Sequence, residues 1–231
     1  KWFAGVDAFF NHSDNNYKAL VKATDPDTRN QYDANVPLFH NAFTGYFSQF
    51  YGGIKNTTWA DELRLEVSTF SNLKEQQHPA LMTDAYGAIV SKQSSIIPSL
   101  NYKKSLLNNK LSINQFLTYN NLKISRIDTL HGQYDWFGNF TPNPLKVGES
   151  RQASNSDIDS KNFTGRTNLS YSLAENHSLE LNNVYVDATR QGKDPLGARF
   201  SGTDIDVLSI KSSYRKLVTA LGITSNFFDK K

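Results

Sequence analysis

Five histidines, His12, His40, His78, His131 and His177, and two acidic pairs, Asp157/Asp159 and Asp204/Asp206, are the residues whose types could do chemistry in this chain. The histidines are scattered, without the short ligand spacing that a zinc site needs. The acidic pairs lack the Gly and the terminal Glu of a calcium loop. As acid and base they have no visible partner, and no Ser/His/acid constellation can be assembled around them. The expectation is therefore no enzyme, no catalytic residue, no metal and no cofactor. There are no cysteines, which rules out a disulfide framework and a Cys-based zinc site.

The richest cluster is aromatic: Tyr134-Asp135-Trp136-Phe137-Gly138-Asn139-Phe140. Tyr134, Trp136, Phe137 and Phe140 are the candidate ligand-binding residues, because rigid rings supply contact area at low entropic cost and could stack on a sugar or an aromatic chelator. The alternative reading of the same residues is an upper aromatic girdle, or loop packing on loop.

The elements that would position this cluster follow a rhythm. Strand-like stretches are joined alternately by tight turns, near residues 56–59, 106–109, 174–177 and 215–217, and by long polar connections, near 13–40, 73–87, 127–160 and 190–205. Alternation is clearest from Phe163 to Leu173, where Phe163, Leu169, Tyr171 and Leu173 fall on one face and Arg166, Asn168 and Ser170 on the other. The pattern predicts about nine long strands, at 1–12, 42–55, 60–73, 87–104, 110–126, 161–174, 177–190, 206–215 and 217–228. Pro98 requires a bulge or a strand end. A change of apolar parity near Phe116 predicts either a bulge or a strand leaving an apolar band.

Composition fits such a meander in a membrane. Only 38% of the 231 residues are hydrophobic, yet 13% are aromatic. A disordered chain would be poor in aromatics, and a helical membrane protein would carry runs of about 18 or more apolar residues, which are absent. A transmembrane β-barrel accounts for both figures through a polar lumen, an apolar outer face and aromatic girdles. Tyr102, Tyr171, Tyr214 and Trp59 are expected near the short turns as one such girdle. The net charge of +3 is spread along the chain, unlike the basic stripe of a nucleic-acid binder. The fold expected is all-β, an antiparallel up-and-down meander forming part of a larger transmembrane barrel. Both termini read as cut within that barrel.

The segment from Leu169 to Asn182 (LSYSLAENHSLELN), followed by Arg190-Gln191-Gly192-Lys193-Asp194-Pro195-Leu196, resembles a periplasmic hairpin and loop entry in the barrels of TonB-dependent outer-membrane receptors, particularly those of Bacteroidetes-type bacteria. Phe39-His40-Asn41-Ala42-Phe43 and Asn56-Thr57-Thr58-Trp59-Ala60-Asp61 are similar to segments of the same family. The resemblance implies a bacterial outer-membrane location and a 22-stranded barrel closed by a plug domain. It also implies energy-coupled uptake of a scarce ligand, such as an iron chelate, a vitamin or an oligosaccharide. The implied partners are outer-membrane lipid, the protein's own plug, the TonB complex and that small-molecule or glycan ligand, with no nucleic acid. Residues 1–231 contain neither the plug nor a TonB-contacting segment. The rival readings are a carbohydrate-binding β-sandwich, soluble or at the cell surface, and a passive porin-type channel.

Overall fold

The computed structural model describes residues 1–225. It is all-β, built on one eight-stranded antiparallel sheet in the order β1 (Trp2–Ser13), β4 (Phe43–Lys55), β5 (Glu62–Glu75), β6 (Val90–Leu106), β7 (Leu111–Asp128), β10 (Ser154–Ala174), β11 (His177–Lys193) and β12 (Ser212–Ser225). Two small ribbons lie in the long connections: β2 (Lys18–Thr24) with β3 (Gln31–Pro37), and β8 (Gly132–Tyr134) with β9 (Phe140–Pro142). Every sheet neighbour is also a sequence neighbour once these ribbons are set aside, so the meander has no crossover. Among the described residues no second large sheet packs on the first, and Tyr171 remains exposed while Leu169 and Leu181 are only half-buried. The described residues thus lack the two packed layers that the sandwich reading predicts.

Two of the three short turns carry left-handed backbone, mostly at asparagine. Asn56 has φ 56°, and Leu107, Asn108 and Asn109 have φ 55°, 54° and 66°. Asn adopts this region more readily than other non-glycine residues because its short amide can bond locally. The turn after β4 is locked by Thr57 N donating to Ala60 O at 2.8 Å and Asn56 N donating to Asp61 O at 2.9 Å. Glu175 and Asn176 alone join β10 to β11.

The sheet has eight strands where the sequence suggested nine. The expected turn at 215–217 is strand: Arg215, Lys216 and Leu217 pair with Asp187, Val186 and Tyr185 in an unbroken ladder. Arg215 Nε donates to the Asp187 carboxylate at 2.9 Å, which gives that charged residue a cross-strand partner. The strand expected at 206–215 is instead a 3-10 turn, Val207–Ser209, leading into β12. The portion expected beyond Ser225 lies outside the described residues. With this correction the three short turns share one end of the sheet and the four long connections share the other.

Pro98 sits mid-strand, and direct pairing of β6 with β7 skips Ile97 and Pro98 while the register on either side is unchanged. A missing donor has therefore cost two rungs without a bulge. Leu111–Ile124 is likewise free of a bulge, since β7 keeps one register with β10 along its length.

Candidate functional site: an apolar band and a loop cap

Directly opposed residues of an antiparallel ladder point to the same face, so the register sorts the whole sheet into two. One face carries Trp2, Val6 and Phe10 on β1, Tyr46, Phe50 and Ile54 on β4, and Leu63, Leu65 and Val67 on β5. It continues through Ile96, Leu100 and Tyr102 on β6, then Ile113, Leu117 and Tyr119 on β7. Phe163, Leu169 and Tyr171 on β10, Leu181 and Tyr185 on β11, and Leu217, Leu221 and Ile223 on β12 complete it. Among the described residues of this band the single charged side chain is Lys104, next to a turn, where its Nζ lies 3.1 Å from Asp61. The band's other interruptions are polar but uncharged: Ser48, Gln115, Thr167, Asn183 and Thr219.

The loop-side edge of the band runs obliquely to the rungs. Phe10 faces Tyr46, but Tyr46 faces the polar Ser71. The edge drops two residues to Thr69, whose hydroxyl is taken up by Ser95 O at 3.0 Å and which faces Ile96, although one apolar residue, Leu73, recurs beyond it on β5. Ile96 faces Asn121, so the edge drops again to Tyr119, which faces Phe163. Phe163 faces Asp187, and the edge drops once more to Tyr185, which faces Leu217. The descent is about one residue per strand. With a rise of ~3.4 Å per residue and strands ~4.8 Å apart, strands tilt about 35° from the normal to this edge. Tilted strands and staggered register are linked in a closed barrel, and transmembrane barrels tilt by about 35–45°. Five of the eight edge residues, Phe10, Tyr46, Tyr119, Phe163 and Tyr185, are aromatic.

At the turn end Tyr102 and Tyr171 lie on the apolar face as expected, and Tyr102 Oη donates to Trp59 O at 2.7 Å. Tyr214 does not join them. It pairs with Ala188 near the loop end and points to the opposite face.

That opposite face is polar and crowded. Ser68 and Ser95 are 8% and 3% exposed, while Leu65 and Ile96 across the sheet are 54% and 60% exposed. A sheet bent toward its polar side produces this contrast. Arg64 bonds Glu66 at 2.8 Å and lies 4.0 Å over the Tyr51 ring. Gln49 bonds both Glu66 and Ser68. Arg166 lies over Phe116, and Asn168 donates to Asn182. Gly53 is required here, because a Cβ would collide with Leu63 O and the Phe3 ring.

The long connections fold into a cap with its own core. Ala19, Val21 and Ala23 alternate with exposed residues on β2 and bury with Val36, Leu38, Ala85 and Trp136. Polar side chains latch the connections together. Gln77 Oε1 accepts from Phe39 N and His40 N at 2.6 and 2.8 Å. The buried Glu149 carboxylate accepts from Gly87 N at 2.8 Å and Ala88 N at 2.7 Å, and Asp128 accepts from Glu149 N at 2.6 Å. Asp206 accepts from Asp194 N and Leu208 N, and these bonds hold its carboxyl below the ordinary carboxylate value of 3.8.

The four aromatic candidates divide between two roles. Trp136 is 5% exposed and belongs to the cap core, with its ring 6.4 Å from that of His78. Tyr134 is half-buried between Phe39 and Phe140, at 5.9 and 5.1 Å. Phe137 and Phe140 are exposed. Only these last two can offer rings to a ligand without unpacking the cap. Sequence reasoning missed the latches, because Gln77, Asp128 and Glu149 carry no motif; their contacts join positions far apart in sequence.

The acidic pairs separate too. Asp206 caps the 3-10 turn, while Asp157 and Asp159 stand exposed on the apolar-band face beyond its edge. Among the described residues no three acidic or histidine side chains cluster to hold a metal, and no helix is long and apolar enough to cross a membrane. Comparison with family models, curated proteins and solved structures returned no match.

Proposed function

We propose that this chain forms part of the wall of a bacterial outer-membrane receptor barrel of the TonB-dependent type, which takes up a scarce ligand with energy from the inner membrane. The observation that carries the membrane reading is the oblique, aromatic-stepped edge of an almost uncharged band. A water-facing sheet has no use for an apolar boundary that ignores its own rungs, whereas a flat bilayer imposes one on tilted strands. On β10 the apolar positions from Phe163 to Tyr171 match the roughly 9–11 residues a tilted strand needs to cross. One-sided loops and a polar inner face support the same reading. The receptor rather than a passive channel is favoured by the resemblance of the Leu169–Asn182 hairpin. Among the described residues β1 and β12 each pair on one side only, as strands within a wider wall would before their outer neighbours are added.

The test uses the complete gene product. It should fractionate with outer membranes, migrate differently on electrophoresis with and without boiling, and lose ligand uptake when the TonB complex is deleted. Recovery as a soluble protein would overturn the membrane reading. Uptake indifferent to TonB would leave a porin-type channel.

A further inference from the structure

Inside the apolar band, four hydrogen-bonding side chains stand on one outward rung. Gln115 on β7 faces Thr167 on β10, Thr167 faces Asn183 on β11, and Asn183 faces Thr219 on β12. Gln115 and Thr167 lie four residues in from the edge at Tyr119 and Phe163, while Asn183 and Thr219 lie two in from Tyr185 and Leu217. Polar groups in hydrocarbon must find their partners in protein, because lipid tails offer neither donors nor acceptors. The first pair does so. Thr167 donates its hydroxyl to Gln115 Oε1 at 2.6 Å, and Gln115 Nε2 donates to Phe116 O at 3.3 Å. The second pair is only half satisfied. Asn183 Nδ2 donates to Thr219 Oγ1 at 2.7 Å, but among the described residues nothing donates to Asn183 Oδ1 and nothing accepts the Thr219 hydroxyl proton. An unused acceptor and an unused donor thus sit side by side on the outward face.

We propose that Asn183 and Thr219 form the contact point between two copies of the protein in the membrane. This rests on the membrane reading above. A two-fold axis through the patch sets Thr219 of each copy against Asn183 of the other, so each hydroxyl donates to the opposite carbonyl and both loose ends close together. That reciprocity is what an isologous contact requires, and a second copy supplies it without any further partner. A strand added beyond β12 could meet Thr219 but not Asn183, which already has β10 and β12 on its two sides. Thr219 is small enough to let two walls approach closely. Around it Leu217, Leu221 and Ile223 on β12 and Leu179 on β11 are exposed, and they pack between the copies. Gln115 and Thr167, already bonded to each other, stay outside the contact and face lipid.

The experiment labels the complete protein with a donor or an acceptor dye, mixes the two in phosphatidylcholine liposomes over a range of protein-to-lipid ratios, and reads energy transfer. The variant is Asn183→Leu/Thr219→Val, which makes the patch apolar and so keeps it compatible with lipid. The control is Ser48→Ala, at a polar residue on the same face of β4. The expected result for the parent and the control is transfer that rises linearly with acceptor fraction, as a dimer requires. The double variant should need a roughly tenfold higher protein-to-lipid ratio for the same transfer, two hydrogen bonds being lost. A parent that inserts but shows no transfer beyond random proximity would overturn the proposal and leave the membrane reading intact. So would a double variant that associates as tightly as the parent. Transfer that departs from linearity would overturn it as well, since a two-fold contact closes at two copies. A parent that fails to insert refutes the membrane reading and this inference with it.

Discussion

At Glu149, one carboxylate gathers the backbone N–H groups of Gly87 and Ala88 and so ties two loops that are distant in sequence. Hydrogen bonds to a charged acceptor are worth about 1.5–3 kcal/mol each. Glu149→Ala should therefore speed amide exchange at Gly87 and Ala88 by one to several orders of magnitude while the sheet amides stay protected, which hydrogen-exchange mass spectrometry can read. The aromatic candidates predict a contrast of the same kind. Trp136→Ala opens a hole in the cap core at a cost of about 3–5 kcal/mol and should expose the β2–β3 amides. Phe137→Ala, at an exposed ring, should leave them unchanged and alter only ligand binding. Asp206 gives the cap an acid limit. Its carboxyl titrates lower folded than unfolded, so its stabilisation is present above the ordinary value of 3.8 and is lost as pH falls through the folded value. Exchange in residues 194–211 should rise only below that ordinary value, and Asp206→Asn should remove the acid dependence.

At the scale of single strands, the two faces predict opposite tolerances. Leu169→Arg puts a charge in the apolar band between its middle, at residue 167, and its turn-side end, at Tyr171, and should destabilise the folded, lipid-inserted protein by about 1–3 kcal/mol, whereas Asn168→Arg, on the polar face, should be nearly neutral. Urea unfolding in liposomes measures both. Strand positions were largely legible from alternation, as in Phe163–Leu173, because a half-buried strand writes its period into the sequence. The turn expected at 215–217 was not there because Arg-Lys looks exposed in isolation; only the register reveals that Arg215 has Asp187 opposite it. Tyr214 was misplaced by the same error. The parity change near Phe116 was visible, but its cause is the edge at Tyr119, beyond which Asn121, Lys123 and Ser125 take the outward positions.

For the whole molecule, the decisive pattern belongs to no single strand. The edge that steps from Phe10 and Tyr46 through Thr69 and Ile96 to Tyr185 and Leu217 exists only when eight strands are laid in register, so one sequence read linearly could suggest short turns and long loops but not tilt. The cap core was hidden for a related reason: Val21, Ala85 and Trp136 come from three separate connections. The central claim is that the apolar face meets lipid and the polar face meets water. The chain has no cysteine, which permits spin labels to be attached singly at positions 163–171 of the complete protein in bilayers, with power saturation reporting contact with oxygen and with a water-soluble nickel chelate. The account predicts high oxygen accessibility at 163, 165, 167, 169 and 171, and nickel accessibility at 164, 166, 168 and 170. Nickel accessibility at both sets, or protection of the odd set from both reagents, would contradict it.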